Sequence, residues 1–165
     1  MRHGDLEIDE DLAAQRWEWR FQVVGAAFLA LVVLGASAGL FGHGPASWAT
    51  DRSDDDRLVV DWPRFARRGG TVTISVTADA GLATDGRFEV AVDRELAEAL
   101  GIRRIEPEPD AVEAAGPTIV HVFTQRTPSD DLHATFDLQP SGMWGVGGEI
   151  AVGDRRVRIE PFLYP

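Results

Sequence analysis

Between Phe21 and Thr50 the chain contains no Asp, Glu, Lys or Arg. Residues 23–34 read Val-Val-Gly-Ala-Ala-Phe-Leu-Ala-Leu-Val-Val-Leu, and apolar or small residues continue to Phe41. About 20 such residues are enough to cross the hydrocarbon core of a bilayer. A single segment satisfies its own backbone there only as a helix. Trp17 and Trp19 precede the run and Trp48 follows it, matching the aromatic belts found at both membrane interfaces. The sequence therefore predicts one transmembrane helix over residues 21–42. The competing reading, a helix buried in a soluble domain, lacks a remainder large enough to bury it.

Arg16 and Arg20 lie close to one end of this segment, and Arg52 and Arg57 lie farther from the other. Positive charge stays on the cytoplasmic side. Residues 1–20 are thus expected as an acidic cytoplasmic tail and the remainder outside, in a bacterial cytoplasmic membrane. The tail holds Asp5, Glu7, Asp9, Glu10 and Asp11, and a helix starting near Asp11 is expected to run on into the membrane. Ala36-Ser37-Ala38 has the small-x-small form of a signal-peptidase site. The long acidic leader is unlike a short basic signal region, so an uncleaved anchor is expected. Gly35 and Gly39 form a GxxxG match, a candidate face for helix self-association and hence for a homodimer.

Residues 43–57, with Gly44-Pro45 and the run Asp54-Asp55-Asp56, read as a solvated linker. The Asp run lacks the glycine and distant glutamate of an EF-hand loop.

Composition removes several function classes. The 165 residues include no Cys, so disulfides and thiolate chemistry are excluded. There is no Lys and no Asn; all sixteen basic residues are Arg, as expected from a GC-rich bacterial coding sequence. Residues 1–50 carry three Arg against six acids, and residues 51–165 carry thirteen against twenty-one. That acidic balance argues against nucleic acid as a partner, because phosphate binding needs a basic face.

From residue 58 onward the apolar pattern has period two, the mark of half-buried strands. Strands are predicted at Leu58–Trp62, Thr71–Thr77, Arg87–Asp93, Ile102–Ile105, Pro117–Thr124, Leu132–Leu138, Gly148–Val152 and Arg156–Glu160. Phe88, Val90 and Val92 are expected inward, as are Leu132, Ala134, Phe136 and Leu138. The continuous apolar run at Pro117–Thr124 predicts a central strand. Gly153-Asp154 predicts a hairpin turn. Arg94–Gly101 predicts one or two helical turns stopped by glycine. Seven or eight strands in residues 58–165 fit an immunoglobulin-like antiparallel β-sandwich.

Three further features bear on this. Phe136-Asp137-Leu138-Gln139-Pro140-Ser141-Gly142 ends a strand in Pro-x-Gly. Arg67-Arg68-Gly69 forms a turn, and Phe162-Leu163-Tyr164-Pro165 closes the sequence. With the helix, these make the layout resemble uncharacterised bacterial single-pass envelope proteins with a small Ig-like β-sandwich ectodomain. The resemblance implies architecture and no activity.

A search for chemistry finds no catalytic, cofactor or metal constellation. If their strands are neighbours, His121, His133, Asp130 and Asp131 approach one another, but no HExxH or equivalent spacing supports a metal. Neither GxSxG nor a phosphate-binding glycine loop is present. Glu106, Glu108 and Asp110 stand on a proline-stiffened loop. Two arginine groups, Arg64, Arg67 and Arg68, and Arg156 and Arg158, are candidates for contact with a partner or with anionic headgroups. Alternation places Arg156, Arg158 and Glu160 on one exposed strand face.

The expected function is a membrane-tethered, non-enzymatic β-sandwich acting by protein–protein contact, as an accessory subunit of an envelope complex. Its partners are the bilayer and another membrane or envelope protein, with no cofactor. The alternative is an extracytoplasmic binding module for a small ligand or envelope polymer, using loops 79–86, 106–116 and 125–131. Those loops contain no aromatic residue.

Overall fold

The computed structural model describes residues 12–37 and 47–165, with side chains from Arg16 onward. Helix α1 runs unbroken over Leu12–Ser37. It starts before the predicted Phe21 boundary, so part of the expected tail is helical, as the acidic start near Asp11 implied. Its stretch Arg16–Ser37, 22 residues, is long and apolar enough to cross a membrane. At 1.5 Å per residue that is about 33 Å, against a hydrocarbon thickness of about 30 Å. Length and composition suit an anchor and a signal sequence equally. Trp17 and Phe21 stack with ring centroids 4.7 Å apart. Residues 38–42 of the predicted span, Gly39 of the GxxxG match included, lie outside the described residues.

The remainder is β-rich. Strands β1 (Trp48–Arg52), β2 (Leu58–Pro63), β4 (Val72–Ala78), β9 (Leu132–Leu138) and β6 (Ile102–Glu106) form one antiparallel sheet, in the order β1-β2-β4-β9-β6. Strands β12 (Arg155–Ile159), β11 (Gly148–Val152), β5 (Arg87–Asp93), β8 (Thr118–Thr124) and β7 (Ala111–Ala115) form a second, in the order β12-β11-β5-β8-β7. A third, small mixed sheet joins β10 (Trp144–Gly145), β13 (Phe162–Tyr164) and β3 (Phe65–Arg67), with β13 parallel to β3.

Period-two burial sets which side chain meets the core. Val60, Ile74, Val76, Ala134 and Phe136 from the first sheet pack in one cluster with Phe88, Val90, Val92, Ile150 and Val152 from the second. β5 and β9 have the predicted bounds, and every residue expected inward on them is buried. β8 lies between β5 and β7, one place from the sheet edge, with β5 at the centre. The hairpin at Gly153 forms as expected, its φ of 61° suiting glycine.

Helix α2 (Arg94–Leu100) closes the core by burying Leu96, Ala97 and Leu100. It fits because two glycines leave room. A Cβ on Gly148 would lie 2.7 Å from Cβ of Leu96. Gly101 caps the helix at φ 61°, where a Cβ would lie 2.5 Å from the Gln139 carbonyl oxygen.

Two expectations are corrected. Residues 43–57 are not a linker throughout, because β1 pairs with β2 from Trp48↔Pro63 to Arg52↔Val59. Asp54–Asp56 form the tip of that hairpin. Ser53 and Leu58 close it with a 2.9 Å backbone bond, and the Leu58 amide donates to Ser53 Oγ at 3.0 Å. β7 also forms inside the predicted loop 106–116.

The hairpin tip ties the two large sheets together. Arg155 on β12 donates from Nε to Asp55 Oδ2 at 2.7 Å. This bond holds the Asp55 carboxyl down to about 2 from an ordinary 3.8. A carboxyl lowered on folding stabilises the native state above its unfolded pKa and loses that effect as pH falls through its folded pKa. The clamp is therefore fully present above about pH 4 and is lost as pH falls towards 2. Substitution Arg155→Gln should return the Asp55 titration towards 3.8, read by carboxyl NMR chemical shifts. An unmoved titration would contradict the assignment. In the core, Phe136→Ala should cost about 3–5 kcal/mol, while the exposed edge substitution Val112→Ala should stay within about 0.5 kcal/mol. Denaturant unfolding of the detergent-solubilised chain, followed by circular dichroism, checks both; equal costs would contradict the core assignment.

Candidate binding surfaces at the two ends of the domain

Strand register defines two ends. Trp48↔Pro63, Val72↔Leu138 and Asp93↔Thr118 lie at one, and Arg52↔Val59, Ala78↔Leu132 and Arg87↔Thr124 at the other. The chain arrives from α1 at the first, beside Ser47, so this is the tether end. The second is the far end.

A cleft of about 540 Å³ opens at the far end. Its apolar floor is Phe88, Phe123 and Leu132, and its rim carries Glu108, Asp110, Asp130 and Asp131 against Arg126 and His133. The loops forming it are two of those predicted for ligand contact.

Two of its four rim acids also hold the loops in shape. The Thr124 amide donates to Asp110 Oδ2 at 2.7 Å. Hydrogen bonds from the Thr124 side chain and amide hold the Asp110 carboxyl below its ordinary range. The Ala80 amide donates to Asp131 Oδ1 at 2.8 Å. Nearby, Asp79 receives Arg57 at 2.9 Å and caps the short 3₁₀ turn Ala80–Leu82 through the Gly81 amide. Arg57 is the main reason that the Asp79 carboxyl is lowered. Gln125 donates to the Asp130 carbonyl at 3.0 Å. The cleft mouth is thus acidic, with Asp110 and Asp131 held in place by backbone amides.

His121 and His133 do not come together, because β8 and β9 belong to different sheets. His121 points into the core, edge-on to Phe136 at 5.5 Å, with Nδ1 unpartnered. Burial holds its imidazole below the ordinary range, opposed by a hydrogen bond with the Val90 backbone. His133 is exposed, its Nδ1 3.2 Å from Thr77 Oγ1. Among the described residues no group of three or more His, Asp or Glu is placed to hold a metal.

The tether end carries an aromatic surface. On β3 and β13, Ala66 and Leu163 are buried, so alternation turns Phe65, Arg67, Phe162 and Tyr164 outward. Phe162 meets Phe65 and Trp144 in edge-to-face contacts, both at 6.4 Å. Trp144 is 63% exposed and holds a left-handed backbone at φ 71°. A non-glycine residue rarely adopts that conformation. The Arg68 guanidinium reaches Met143 Sδ at 3.6 Å.

The predicted arginines divide between two places. Arg64, Arg67 and Arg68 lie on or beside β3, within the aromatic surface. A shallow groove there is lined by Arg64, Phe65, Arg158, Glu160 and Phe162, together with Asp51 and Trp62. Both groove acids are paired: Trp62 Nε1 donates to Asp51 at 2.6 Å, and Arg158 Nε donates to Glu160 at 2.8 Å. Arg156 lies on the same exposed face of β12 as Arg158, two residues farther from the groove and 3.6 Å from Glu149. Gly35 lies in α1.

Sequence reasoning found the arginines and missed the aromatics, because β3, β10 and β13 are too short to display a period. The signal was the pair of alternating triplets Phe65-Ala66-Arg67 and Phe162-Leu163-Tyr164.

No protein-family model matches this chain, and no curated protein matches it.

Proposed function

We propose that the protein is a membrane-tethered, non-enzymatic binding domain that acts by contact with another envelope protein. In this reading α1 is an uncleaved anchor with residues 1–20 in the bacterial cytoplasm and the β-domain outside. The observation that carries the reading is the acidic, apolar-floored cleft at the end of the domain opposite its tether. Four carboxylates around one guanidinium suit a basic segment bearing an apolar side chain. A cleft pointing away from the chain's own attachment is open to a partner standing in the same membrane.

Several observations support a non-catalytic role. Asp110 is held ionised by Thr124, the reverse of the raised carboxyl that general acid catalysis uses. Asp131 is committed to the Ala80 amide. The described histidines stand apart, one buried and one on the surface.

The immunoglobulin-like relationship is part of the same proposal. The order β2-β4-β9-β6 parallels the A-B-E-D sheet of that fold, and β12-β11-β5 parallels G-F-C. The β7–β8 hairpin sits beside β5, where the extra strands of variable-type domains sit, but it follows β6 in the chain instead of preceding it. The resemblance to bacterial envelope proteins with such ectodomains belongs with it.

A second reading, a module for a small ligand or envelope polymer, is favoured by the same cleft. The two differ in what fills it. A photo-crosslinking residue at Arg126, in the full chain in host membranes, should give one defined protein adduct. Asp130→Lys with Glu108→Lys should reduce that adduct at least about tenfold, since each reversal costs on the order of 1 kcal/mol or more. A cleft that crosslinks to no protein, or an adduct indifferent to charge reversal, would contradict protein contact there.

A further inference from the structure

We infer that the aromatic–arginine surface at the tether end docks on the anionic face of the bilayer that α1 enters. The inference rests on the reading of α1 as a retained anchor. Three observations meet at this surface.

The first is attachment. Ten Cα steps separate Ser37, the last helical residue of α1, from Ser47, the first described residue of the domain. At no more than about 3.6 Å per residue, those steps reach at most about 36 Å. Ser47 is itself bound into this end, since its carbonyl accepts from the Arg64 amide at 2.7 Å. Trp48 follows immediately, opposite Pro63. The surface nearest the tether is therefore the one kept nearest the membrane.

The second is side-chain chemistry. Trp48, Phe65, Trp144, Phe162 and Tyr164 are exposed, with Met143 beside them. Tryptophan and tyrosine favour the headgroup level, where an apolar ring and a polar edge are both accommodated. The left-handed Trp144 projects its indole from a position that glycine fills more easily.

The third is charge. Arg64, Arg67 and Arg68 lie on this surface, and the groove beside Phe65 and Phe162 adds Arg158 with two carboxylates, Asp51 and Glu160, bonded to Trp62 and Arg158. Residues 51–165 as a whole carry thirteen Arg against twenty-one acids. Four arginines against two carboxylates leave a local excess of two positive charges in an acidic domain, which complements anionic headgroups. Each arginine near such a surface favours the docked state by roughly fivefold. Elsewhere the acidic domain is repelled, so the field orients it as well as attracting it. Docking this end turns the far-end cleft away from the lipid.

The absence of native cysteine makes the test direct. Gly145→Cys places a nitroxide on this surface, where an added Cβ meets nothing within 4 Å. Ser129→Cys places one in the exposed far-end loop. The full chain is reconstituted in vesicles of phosphatidylcholine with phosphatidylglycerol, and label depth is measured by collisional relaxation. The label at position 145 should sit at headgroup depth and the label at 129 in water. Arg67→Gln with Arg68→Gln should cut the docked-to-undocked ratio by roughly 30-fold. Trp144→Gly should also weaken docking, without lowering the unfolding midpoint, because glycine suits that backbone. A water-exposed label at 145 in a chain that floats with its vesicles would overturn the inference and leave the surface to an acidic protein. A chain that fails to float would overturn the anchor reading, and the docking inference with it.

Discussion

Alternate side chains of two five-stranded sheets share one apolar core, and that burial positions everything else in the domain. A strand turns successive residues to opposite faces, so each inward residue commits its neighbours outward. Ala66 and Leu163 go in, and Phe65, Phe162 and Tyr164 come out as a consequence. Loops at the far end are fixed by the same register, through Ala78↔Leu132 and Arg87↔Thr124. With no cysteine to cross-link the sheets, packing and the Arg155–Asp55 clamp hold them together.

The core also gives the domain a direction. The chain enters beside Ser47, at the end where α2 covers Leu138 and Ile150, and the hairpin tip at Asp55 lies at the opposite end. Arginines and aromatics gather where the tether attaches; acids gather around the cleft at the other end. That polarity is what the proposed functions use: lipid docking at the end near α1 and a protein partner at the cleft. Two of the cleft's four acids, Asp110 and Asp131, are fixed by the backbone amides of Thr124 and Ala80.

Much of the fold was legible in the sequence. β5 and β9 carry three and four inward apolar residues in strict alternation, and their bounds follow directly. β1 was hidden because Trp-Ala-Thr-Asp-Arg puts a single apolar side chain, Ala49, into the core. β7 was hidden because Ala-Val-Glu-Ala-Ala lies at a sheet edge with mostly exposed side chains and no alternation. The aromatic surface was illegible for another reason: it is assembled from residues 65–67, 144–145 and 162–164, brought together only by tertiary pairing. Arg67 and Arg68 were visible as charges, but their setting was not. The condition for His121 and His133 to approach, neighbouring strands, is not met, because β8 and β9 went to different sheets.

Both proposed surfaces act as described only while α1 remains in the membrane with the domain attached. The intact mass of the protein recovered from alkaline-washed host membranes tests this most directly. A membrane-retained species that still contains the peptide bearing Trp17 and Trp19, continuous with the β-domain, is the predicted result. A washed-out species beginning at Gly39, cut after Ala36-Ser37-Ala38, would contradict it.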